Sequence, residues 1–268
     1  MGPRSRAAKD GASMPVAEHL GELRKRIIVS AVSILSITIA VFALSGSILR
    51  LMLLPLGATK LVAFDVMDGF MIRWRISFYT GVALAFPIWA FQLYAFVKPG
   101  LYERERRAIS PVLLASSALF LLGAAFGYYL LSSMIGALRG LFPSQVDFMP
   151  SATAYLSFVA FFLLACGIAF QLPCVVVVLA RLRVLKASTL GRQRKVAYFI
   201  LFIVAELITP VSDPIVAPLT IMAPLAVLFE GSLLWARRIE RKQAAADRAT
   251  QARGASECQE SLVSPLPR

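Results

Sequence analysis

Long uncharged apolar tracts alternate with short charged clusters along this 268-residue chain. Ile27–Leu49 runs 23 residues without a charge and Ile76–Val97 runs 22, while Ala108–Leu138 and Phe148–Ala180 run 31 and 33. Roughly 20 such residues in a helix cross a hydrocarbon layer of about 30 Å. Two further stretches, Val196–Ser212 and Pro214–Ala236, carry one acid each, Glu206 and Glu230, and are broken by proline. The pattern predicts an all-α integral membrane protein with six transmembrane helices. The last two are short: Val196–Thr209 spans only 14 residues, about 21 Å, before Thr209-Pro210 interrupts it. Pro87, Pro111, Pro173, Pro218 and Pro224 predict bent helices and a concave bundle.

Lysine and arginine fix the expected orientation. Residues 1–26, 98–110, 181–195 and 236–268 hold 6, 4, 6 and 7 of the 28 basic residues. The alternate loops, 50–75, 135–155 and 211–215, hold 4, 1 and 0. The positive-inside bias puts both termini in the cytoplasm. It also explains the net charge of +13 without invoking nucleic acid. With 58% apolar and 16% charged residues and a mean hydropathy of +0.73, a soluble domain is excluded. The first tract is too long for a signal-peptide core and shows no small-residue cleavage site near Gly46–Ser47, so a cleaved leader is not expected.

Residues 1–13 read as a disordered basic arm, 14–240 as the membrane domain and 241–268 as a disordered cytoplasmic tail without an apolar face. Met14–Arg26 is expected to form a short interfacial helix with Leu20, Leu23 and Ile27 on one face. Cys166 and Cys174 lie eight residues apart in one predicted helix and cannot bond to each other, and His19 is the lone histidine. With no CxxC spacing and no phosphate loop, no metal, no cofactor and no enzymatic activity are expected.

Two charged strings stand out, EHLGELRKR (Glu18–Arg26) and YERERR (Tyr102–Arg107), each abutting an apolar tract on the predicted cytoplasmic side. Basic residues alone would report orientation. Carboxylates set among them suggest a surface for a cationic ligand, since a carboxylate accepts a guanidinium fork bidentately. The plainer alternative is that Glu22 pairs with Arg26 at i+4 and Glu105 balances Arg104, Arg106 and Arg107.

Those strings, with FPIWAFQLYAFVKPGLYERERR closing the second span, CGIAFQLP in the fourth and TPVSDP after the fifth, occur in one order over residues 15–240. In that order they resemble the TatC family, the polytopic subunit of the twin-arginine protein translocase. The resemblance implies six spans with both termini inside, and a receptor for folded proteins that bear a twin-arginine signal peptide. It implies proton-motive force as the energy source, multiple copies per complex, and TatA- and TatB-like single-span subunits as partners. Glu22 and Glu105 occupy the family's signal-recognition positions. Glu103 is an extra acid there, and Arg24 and Arg106 are expected to orient the glutamates and hold anionic lipid. Pro55 matches a family proline that shapes the outer cap. Phe96 and Pro99 set how the second span leaves the membrane.

The chain departs from the family inside the membrane. Where a glutamate usually stands in span four, this sequence has Gln171, and Glu206 appears in span five. Both sit about 15 Å from the cytoplasmic side, at about 1.5 Å per residue, so an intramembrane carboxylate is read as moved between spans at constant depth. The alternative is a protonated Glu206 bonded within the bundle. Glu206, Thr209, Gln171 and Asp213 are the expected docking positions for partner helices, and Ala217 replaces a polar family residue. Glu230 is expected to snorkel or to pair with Arg237. Two rival classes are a proton-coupled transporter with Glu206 as relay and a structural scaffold. Neither gives carboxylates a reason to sit in the two charged strings.

Overall fold

A computed structural model describes residues 16–57, 60–97, 109–140, 143, 149–181, 187–208 and 216–263. Within them the chain is helical: α1 Val16–Leu53, α2 Asp68–Leu84, α3 Phe86–Val97, α4 Ile109–Gly140 and α5 Ala152–Ala169. α6 Leu172–Arg181, α7 Ala187–Arg192, α8 Arg194–Ile208 and α9 Val216–Val263 follow. Four stretches are long and apolar enough to cross a membrane, His19–Leu56, Val112–Gly140, Ala152–Arg181 and Pro218–Ala245. The pair α2 and α3, bent by 48°, makes a fifth.

The bends sit at prolines. Pro87 and Pro173 have no N–H and crowd the carbonyl four residues back, so a straight helix cannot run through either. The uncharged tract 76–97 therefore splits at Ala85, and the tract 148–180 breaks at Phe170–Gln171. Pro224 lies inside α9, which nevertheless continues as one helix.

Three expectations need correction. The last span is not short: Pro218–Ala245 runs 28 residues, because Pro224 does not interrupt α9. Met14–Arg26 forms no separate interfacial helix among the described residues. α1 runs unbroken from Val16 to Leu53, since no proline interrupts it and Gly21 alone costs only about 1 kcal/mol. Residues 241–263, expected as part of a disordered tail, continue α9 as helix to Val263. The Ala, Gln, Arg and Glu residues there are strong helix formers, so propensity carries the helix without an apolar face.

α1 packs along α2, α2 along α5, α4 along α5, and α9 against α6 and α8. The main core joins Met52, Ile76, Leu131, Val159, Phe162, Leu201 and Leu225 from these helices. Gly81 lets α1 and α2 meet: a Cβ there would stand 2.9 Å from Thr38 Cα. Ile27, Ile28, Val32, Leu35 and Ile39 of α1 are exposed, as a helix solvated by lipid requires.

One end of the bundle carries the start of α1, Arg181 and Arg194, and is called the basic end below. At the other, Val62 pairs with Ser151 in an isolated bridge, and Asp68 ties the 60–68 segment to α5. Its carboxylate accepts from Thr153 Oγ1 at 2.6 Å and from the N–H groups of Phe64 and Asp65 at 2.8 and 3.1 Å. Asp68 precedes the apolar tract, and these bonds, Thr153 first and Asp65 next, hold its carboxyl below the usual carboxylate range.

Candidate functional site

The candidate site at the basic end is built from α1 and α3. Because α1 continues through the EHLGELRKR string, Glu22 and Arg26 lie one turn apart on the same face. Arg26 Nε donates to Glu22 Oε1 at 3.1 Å, and its NH2 binds the same oxygen. Its NH1 reaches Gln92 Oε1 of α3 at 3.2 Å. One turn on along α3, Phe96 stacks on His19, with ring centroids 4.3 Å apart. Thus His19, Glu22 and Arg26 of α1 meet Gln92 and Phe96 of α3.

The pairing expected as the alternative for Glu22 is present, but it uses one oxygen. Glu22 Oε2 is buried and accepts no hydrogen bond among the described residues. An ionised carboxylate has about four lone-pair sites, so this oxygen is free to accept a further donor. Arg24 is exposed. Glu103, Glu105, Arg106 and Pro99 lie outside the described residues, as do Thr209 and Asp213. Pro55 sits in a 3-10 turn, Leu54–Leu56, at the end of α1.

Gln171 and Glu206 are not brought together. At the break between α5 and α6, Gln171 Oε1 accepts from Ser116 Oγ of α4 at 2.6 Å. Its Nε2 donates to the carbonyls of Ser116 at 3.1 Å and Gly167 at 3.4 Å. The carboxamide thereby clamps α4 to the α5–α6 break with donor and acceptor both used. Glu206 stands exposed on α8, on a face shared with Phe199, Ile200, Ile203 and Leu207. Glu230 does not pair with Arg237: it accepts from Tyr198 Oη at 2.6 Å and binds Arg194 at 3.1 Å, fastening α8 to α9. Distance along the axis explains the partner: Arg237, seven residues on, shares nearly the same face of α9 but lies about 10 Å further along it, where it reaches Gly191 of α7.

Gln92, Ser116 and Tyr198 were missed from sequence. Gln92 was the most legible, since it lies at i−4 from Phe96, whose role was anticipated.

Residues 18–224 match the family model described as Sec-independent protein translocase protein (TatC). The chain belongs to the TatC family. It is 33% identical to TatCy of Bacillus subtilis, over 88% of this chain and 94% of that protein. TatC of Desulforapulum autotrophicum is 31% identical, over 88% of this chain and 89% of its own length. A crystal structure of the twin-arginine translocase receptor TatC superposes with a TM-score of 0.72 at 30% identity, covering 83% of this chain and 99% of that one. This TatC family member is a membrane-spanning component of the Sec-independent protein translocase, and its relatives are named for transport rather than for catalysis. The transporter alternative is not favoured.

Proposed function

We propose that this TatC family member is the receptor for twin-arginine signal peptides and the core of a machine exporting folded proteins on proton-motive force. The observation that carries the reading is Glu22 Oε2, a buried carboxylate oxygen without a donor among the described residues, beside a basic, aromatic-lined junction of α1 and α3. An arginine of the signal fits that oxygen, and Glu105, in the segment joining α3 to α4, supplies the second acceptor. Arginine is selected over lysine because a planar fork satisfies a carboxylate bidentately. Arg26, Arg24 and Arg106 orient the acids, with Glu103 at the margin.

The reading places six spans in the cytoplasmic membrane, with α2–α3 as one bent span, α8 as a short one, and both termini cytoplasmic. Basic-residue counts support that orientation. α8 spans 15 residues, about 22 Å, and presents Glu206 on an apolar exposed face. A carboxylate left facing lipid is costly, so Glu206 is the docking point for a single-span partner helix, with Thr209 and Asp213 at its end. Gln171, engaged with Ser116, shapes the bundle behind that surface. Multiple copies and TatA- and TatB-like partners complete the assembly.

Photocrosslinking of a twin-arginine signal peptide to this chain in membranes tests the reading. Crosslinks are expected with the unaltered pair, and they should fall with a twin-lysine signal and with Glu22→Gln or Glu105→Ala. A chain that crosslinks to neither signal refutes it.

A further inference from the structure

Away from the Glu22 junction, a groove of about 350 Å³ opens between α4, α6 and α9. Val112 and Leu119 of α4, Cys174 and Val177 of α6, and Gly231 of α9 form its walls. The three helices run side by side here. Val112 lies level with Arg181 and Trp235 at the basic end, and Leu119 lies deeper, so the groove extends about 10 Å at about 1.5 Å per residue. Gly231 keeps its floor open, since a Cβ there would meet nothing within 4 Å. At about 30 Å³ for a water-sized group, the space takes roughly a dozen methylenes.

The polarity of the groove is one-sided. The Ser232 hydroxyl on its wall is already spent on the Phe229 carbonyl at 2.7 Å. Arg181, the last residue of α6, stands at the basic end with its guanidinium unpaired among the described residues. Trp235, 55% exposed, flanks it at the depth where an amphipathic ring meets headgroups. A polar partner would find no donors or acceptors along the walls. An amphiphile with one anionic head and an apolar tail matches both ends, and basic pockets between membrane helices bind such headgroups.

We propose that the groove is a site for an anionic phospholipid of the surrounding bilayer, one acyl chain lying along Val177 and Gly231 and the phosphate held by the Arg181 fork. Occupancy stabilises the junction of α6 with α9, where Val176, Ala180, Leu233 and Ala236 pack together. The site is independent of signal recognition, and its test needs no export.

The purified chain in nanodiscs of phosphatidylcholine containing a minor fraction of acyl-brominated phosphatidylglycerol supplies the assay. The Trp235 signal is obtained by difference from Trp235→Phe. Brominated phosphatidylglycerol should quench it about fivefold more effectively than brominated phosphatidylcholine, the ratio given by about 1 kcal/mol for one basic residue near anionic lipid. Arg181→Gln should equalise the two lipids, and Arg181→Lys should restore part of the preference. Gly231→Leu, which fills the groove, should lower quenching by both; helicity by circular dichroism checks that it folds. Equal quenching of the unaltered chain by both lipids overturns the proposal, as does a preference that survives Arg181→Gln. Shielding of Trp235 from both lipids, with a dimer by light scattering, assigns the groove to a second copy and also overturns it.

Discussion

Replacing Gln171 by glutamate preserves size while removing the one group that donates. Nε2 bonds the Ser116 and Gly167 carbonyls at 3.1 and 3.4 Å, and a carboxylate oxygen in its place faces both. The Ser116 Oγ bond to Oε1, at 2.6 Å, can survive. Two lost hydrogen bonds of about 0.5–1.5 kcal/mol each put the loss at about 1–3 kcal/mol, before any unfavourable oxygen–oxygen contact. At roughly 2–4 °C per kcal/mol for a chain of this size, the melting temperature should fall by several degrees. Thermal unfolding in detergent, followed by dye labelling of Cys166, reads this directly, since that thiol is buried in the parent. The deficit should shrink in acid, where a protonated carboxyl regains a donor. A Gln171→Glu protein that melts with the parent at neutral pH refutes the clamp and reopens an ionisable role for this position.

Four other outcomes are expected. Gly81→Val should destabilise by about 1–3 kcal/mol in the same assay, because a side chain must displace the Thr38 backbone. Tyr198→Phe should cost about 0.5–1.5 kcal/mol, and Glu230→Ala more, since it strands Arg194 as well, measured by thermal unfolding of the two variants. Glu206→Ala should leave the melting temperature unchanged, its side chain being exposed, yet reduce crosslinking to single-span partner subunits in membranes. Asp68 has a folded pKa below the ordinary carboxyl value of 3.8, so its contribution is complete above 3.8 and is lost as pH falls through the lower folded value. Protection of the Phe64 and Asp65 amides, measured against their intrinsic exchange rates, should fall in that acid range, and Asp68→Ala should lower it at neutral pH.

The apolar tracts determined by themselves that this chain crosses a membrane, because about 20 uncharged residues admit little else than a helix in hydrocarbon. Pro87 and Pro173 marked two breaks, while Pro224 left α9 continuous, and the two charged strings, by their order and chemistry, led to the family. Glu22 and Arg26 as an i, i+4 pair were legible for the same local reason. Everything that depended on which helix faces which was decided by the tertiary structure. Periodicity is almost silent in lipid, where both buried and exposed faces are apolar, so sequence could not tell that Glu206 looks outward while Gln171 looks inward. Azimuth around each helix was not readable from residue counts, and azimuth made Ser116 the partner of Gln171 and Tyr198 that of Glu230. The helix from 241 to 263 was hidden for a different reason: a polar helix without a packed face leaves no pattern beyond its propensity.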